Sequence, residues 1–102
     1  MNLSYILQLF EKIPKFAVFI ISVCMIALIC AGDYDEAEFW LREAINNPNY
    51  NFKYYSFFNL GGIFEIKGDW IEALKNYRKA LKLNPSYDAA EKAVYRLTTL
   101  LN

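Results

Sequence analysis

Residues 57–85 read FFNLGGIFEIKGDWIEALKNYRKALKLNP. In the middle, Gly68 supplies a sharp turn and Asp69 can cap the helix that follows, with Glu72 three residues on completing a D-x-x-E capping box. Trp70, Ala73, Leu74, Tyr77, Ala80 and Leu81 then recur at helical spacing. Pro85 forces Asn84 out of the α region and stops the helix. The same phrase occurs earlier. GDYDEAEFWLREAI (32–45) and GDWIEALKNYRKAL (68–81) share Gly, Asp, Glu, Ala, Arg and Ala in register, at an offset of 36 residues. Gly32, Asp33 and Glu36 repeat the turn and the capping box, and Pro48 repeats the stop. A period of this length marks a helical repeat array, whose units bury their apolar faces only by stacking.

Within this stretch the order W-x2-L-G-x2-Y, A-x3-F, A, P resembles the tetratricopeptide repeat family. Phe57 takes the opening aromatic position, Leu60 and Gly61 the L-G pair and Phe64 the Tyr position; Ala73, Tyr77, Ala80 and Pro85 follow at the family's spacing, with Gly68 in the turn. The resemblance implies an all-α fold, an antiparallel helix-turn-helix stack preceded by an apolar N-terminal helix. Gly61 and Ala73 are expected to be small because two helices cross closely there, and Ala80 because the next unit approaches. The best repeat spans residues 54–87. Residues 32–48 match the second helix of a preceding repeat, and residues 87–101, with Asp88, Glu91, Lys92 and Arg96 on a wet face, a closing cap helix. The expected organisation is an apolar segment, 1–31, followed by a helical domain, 32–102.

The family lines its concave face with the first helix of each repeat. Carried onto this chain, that face holds Tyr55, Phe58, Asn59, Gly62, Glu65 and Ile66, joined by Lys92, Arg96 and Thr99 from the last helix. Tyr55, Phe58, Asn59, Glu65, Lys92 and Arg96 are the expected contacts for a protein or peptide partner, and the two bases beside an amide invite an anionic guest. The carboxylate clamp that some relatives build from Lys, Asn and Arg does not carry over: Ala89 and Ala93, and Ser22 and Ile26, stand where its other members are needed. Six aromatics between Tyr50 and Phe58 exceed what one helix core requires, and aromatics concentrate at protein contacts. Tyr54, Tyr55 and Phe58 either form a sticky surface or cover a neighbouring helix. Lys75, Arg78, Lys79 and Lys82 read as a solvated stripe.

Composition narrows the functions. An aromatic fraction of 18% and a hydrophobic fraction of 56% belong to a chain that buries a core, and 102 residues suffice for a single domain. The absence of histidine removes the commonest general base and zinc ligand, and the chain contains no phosphate loop or ligand cluster. The expectation is a non-enzyme without metal, cofactor or small-molecule substrate. Zero net charge leaves no footprint for nucleic acid. The function expected is a protein-protein interaction adaptor or scaffold; the alternative is a structural subunit of a larger complex. Self-association is a further expectation.

Residues 16–31, FAVFIISVCMIALICA, carry no charge. Lys12 and Lys15 precede the run and Asp33, Asp35, Glu36 and Glu38 follow it, the asymmetry of a membrane anchor with its N-terminus in the cytoplasm. Its 16 residues make about 24 Å of helix against about 30 Å of bilayer hydrocarbon. Three readings stay open: an anchor that places the helical domain on the non-cytoplasmic side, a buried first repeat helix in a cytoplasmic soluble protein, or a lipoprotein signal with Cys30 lipidated. Cys24 and Cys30 are spaced neither as a redox pair nor as a disulfide framework. Membrane association is the expected localisation.

Overall fold

A computed structural model of the chain describes residues 32–102. Four helices follow one another: α1, Tyr34–Asn46; α2, Lys53–Ile66; α3, Trp70–Leu83; and α4, Asp88–Leu101. No strand occurs among the described residues, and the fold is the expected all-α stack. Each helix packs on the next, most extensively α2 on α3. Lys67, just past the end of α2, pairs with Asp35 and Glu38 at the start of α1, so those two helices run antiparallel. α3 reverses again: its late residue Lys79 lies over the ring of Phe57, early in α2. α1 and α3 therefore point the same way, as do α2 and α4.

Local chemistry sets these boundaries. Gly68 has φ +82°, a left-handed conformation that L side chains resist, and the N–H groups of Gly68 and Asp69 turn back onto the carbonyls of Glu65 and Phe64 at 3.1 and 2.8 Å. α2 thus ends with its last carbonyls occupied. Asp69 Oδ1 then accepts from the Glu72 N–H at 3.2 Å and caps α3. The capping boxes expected from sequence are corrected here. The Asp69 N–H is already engaged by Phe64, and Glu72 reaches Lys75 instead; at α1 the Asp33 side chain makes no cap hydrogen bond. Asn84 and Asn47, each before a proline, adopt extended ψ values of 88° and 117° and end α3 and α1.

Two apolar clusters form the core. Ala37, Leu41 and Ala44 of α1 meet Tyr50, Leu60 and Ile63; Ala73 and Tyr77 of α3 meet Ala93 and Leu97 of α4. Phe64 packs against both, which makes α2 the common wall. Small residues permit the close crossing that the repeat pattern implied. A Cβ on Gly61 would stand 2.6 Å from Cδ1 and Cε1 of the Tyr77 ring. Phe57 and Phe64 are only partly buried, and cations complete their cover: Lys79 lies 5.5 Å from the Phe57 ring centre and Arg42 5.9 Å from that of Phe64.

The expected membrane localisation is corrected. The helices hold 13 or 14 residues, about 20 Å each, and among the described residues no helix is long and apolar enough to cross a membrane. The run from Phe16 to Ala31 on which that expectation rested, with Ser22, Ile26, Cys24 and the lipidation candidate Cys30, lies outside the described residues.

Candidate functional site

α2 and α4 run side by side in the same direction, and the side chains facing both helices meet at two places. At the early end of α2, the Tyr87 ring sits just before α4 and gathers three partners. Its centre is 5.3 Å from Tyr54, 5.2 Å from Phe58 and 6.5 Å from Tyr55, the first two edge to face. Phe58 continues to Tyr77, at 5.3 Å, and Tyr54 continues through Phe52 to Tyr50, at 6.2 Å per step. Edge-to-face rings of this kind attract by quadrupole as well as by area. Burial, with Tyr55 and Tyr54 beside it, pushes the Tyr87 phenol up to about 12. Tyr87 therefore keeps its proton and its capacity to donate.

At the far end of α2, Glu65 receives both arms of the Arg96 guanidinium, at 2.7 and 2.8 Å. The Tyr77 hydroxyl donates to the same carboxylate at 2.9 Å. The Arg96 hydrogen bond holds the Glu65 carboxyl below its ordinary 4.5 despite partial burial, and Tyr77 adds to the effect. The Tyr77 phenol moves up, through burial first and Glu65 second. Three helices are tied at one carboxylate.

Most of the partner contacts expected from sequence fall at these two places. Tyr55 and Phe58 join the ring cluster, and Glu65 joins Arg96. Lys92 joins neither, pairing along its own helix with Asp88 at 3.0 Å. The two bases expected to receive an anion are thus both occupied by acids of this chain. Asn59 is half-buried, and its side-chain nitrogen is buried without a hydrogen-bond partner. Thr99 donates to the carbonyl of Tyr95 within α4. Among the described residues no group of three acids or thiols is placed to hold a metal.

Sequence reasoning missed Tyr87 as the hub of the rings. The sequence reading makes it the first residue of the helix expected over 87–101; it lies instead one residue before α4, and the closeness of α2 to the approach to α4 brings it into contact. Tyr77 was legible as core; its hydroxyl's reach to Glu65 was not.

Residues 54–87 match the family model of the tetratricopeptide repeat. The match covers α2, the Gly68 turn, α3 and the Asn84–Tyr87 connection. In tetratricopeptide terms α2 and α3 are the two helices of one repeat, with α1 before it and α4 after it. A repeat of this family supports a role in binding other proteins. No curated protein and no solved structure matches the chain.

Proposed function

We propose that the chain is a protein-interaction adaptor whose α2–α4 face docks a partner protein through Tyr54, Tyr55, Phe58 and Tyr87, with the Glu65–Arg96 pair fixing the spacing of the two helices. The observation that supports this most is the ring cluster: three aromatic side chains of α2 converge on Tyr87 at the entry to α4, beside the helix with which the family lines its concave face. Aromatic rings bring contact area at low entropic cost, and they dominate the energetics of protein contacts. The ionic groups on this face are matched within the chain. A partner segment with apolar or aromatic side chains therefore suits it better than an acidic one, since an acid would have to compete with Glu65 for Arg96.

Co-purification with the tagged full chain tests the reading. Tyr54→Ala and Tyr55→Ala, combined, remove two half-buried rings without touching the apolar core clusters. The double variant should keep its helical circular dichroism and lose its specific partners. An unchanged set of partners from a folded double variant removes this face from consideration.

A further inference from the structure

Outside one corner, the cations of the described residues are matched by acids of the same chain: Arg42 pairs with Glu38, Lys67 with Asp35 and Glu38, Lys92 with Asp88 and Arg96 with Glu65. The exception lies on α3. Lys75, Arg78 and Lys82 stand exposed on the side away from the buried Ala73, Tyr77 and Ala80, and Lys79 flanks them over the Phe57 ring. Because α2 runs antiparallel to α3, Lys53, one turn before Phe57, comes to the level of the last turn of α3 and adds its charge there. Among the described residues Lys53, Arg78, Lys79 and Lys82 enter no ion pair, and Lys75 has only an exposed one, with Glu72 at 3.2 Å. A helix dipole favours bases near a C-terminus, which accounts for Lys79 and Lys82, but Lys53 opens α2, the end where a cation is disfavoured. The charge is therefore gathered at this corner by two helices, against the local preference of one of them. Ile71 heads the stripe one turn before Lys75 and is 63% exposed.

We propose that this corner docks an acidic helical segment of a partner protein, laid antiparallel along α3. The spacing states what the segment carries. From Lys82 back through Arg78 and Lys75 to Ile71 the steps are four, three and four residues, so acids at i, i+4 and i+7 and an apolar side chain at i+11 meet the four in turn. In this direction the acids fall toward the N-terminus of the segment and the bases toward the C-terminus of α3, the end that each dipole favours. Lys53 and Lys79 stand beside the acidic end. A nucleic acid suits the corner less well, because a phosphate backbone needs an excess of positive charge that continues beyond one helix. α1 lies against the same side of α2, with Arg42 over Phe64 as Lys79 is over Phe57, and it carries Glu36 and Glu43, neither of them in an ion pair among the described residues. A short segment stays on α3 and avoids that repulsion. The face shared by α2 and α4 takes no part, so the two proposals stand or fall separately.

Fluorescence anisotropy of a labelled synthetic helical peptide, with glutamates and a leucine at that spacing, titrated with the full chain provides the test. The peptide should bind at about 0.1 M salt and about tenfold or more weakly near 1 M, where the screening length falls from about 10 Å to about 3 Å. Glutamine in place of its acids, or the same composition in scrambled order, should weaken binding by about tenfold, as should Arg78→Glu with Lys82→Glu in a chain of wild-type circular dichroism. Tyr54→Ala with Tyr55→Ala should bind the peptide as the wild type does. The absence of binding at about 0.1 M salt overturns the proposal. So does a scrambled peptide that binds equally well, indifference to the reversal of Arg78 and Lys82, or tighter binding of a single-stranded RNA of equal charge.

Discussion

At the residue scale, Gly61 packs tightly against Tyr77. The ring has little room to retreat: Tyr77 is 4% exposed, and its hydroxyl is held by Glu65. Adding one methyl at Gly61 forces that ring off its hydrogen bond or pushes α2 from α3. Gly61→Ala should therefore cost about 1–3 kcal/mol in urea unfolding, even though alanine is the better helix former. Glu65 offers a second test, because its carboxyl is held below the ordinary 4.5 in the folded chain. A depressed acid stabilises the fold fully above its unfolded value and loses that contribution as pH falls through the folded one. Unfolding midpoints of wild type and Glu65→Gln should differ most near neutral pH and draw together below about pH 4. A gap that stayed constant into acid would assign the loss to shape rather than charge.

At the element scale, the sequence and the structure agree where a backbone rule is strict and diverge where a side chain has alternatives. Pro48 and Pro85 leave the preceding asparagine no helical option, and Gly68 takes a backbone angle that other residues avoid; all three helix ends were legible. The capping boxes were a weaker inference, because an aspartate before a helix has several competing partners. Asp69 caps α3 while its own N–H closes α2, and Asp33 leaves the first turn of α1 uncapped by its side chain. Asp69→Ala should cost about 1 kcal/mol and Asp33→Ala much less, read as two shifts in the same thermal unfolding experiment. Equal losses would show that a cap bond forms at Asp33 too. Glu65 and Arg96, 31 residues apart, were both legible as residues of one face but not as a pair, since nothing in spacing alone states how far α4 slides along α2.

At the scale of the described domain, the four helices of residues 32–102 are nearly equal in length, and α2 is the wall that the two core clusters share. The repeat register made the central pair, α2 and α3, readable before any coordinate. Register also named the face that α2 and α4 share, while the convergence of three rings on Tyr87 depended on a connection whose path the pattern does not encode. α4 meets solvent on its other side, where Tyr95 is 76% exposed. That tyrosine is a control within the same fold for the claim that partners dock on the α2–α4 face. The most direct measurement places a photoreactive benzoylphenylalanine at position 55 or at position 95 of the tagged full chain, irradiates both, and compares the cross-linked partners. The account predicts partner adducts from position 55 and none from position 95; adducts from position 95 alone would contradict it.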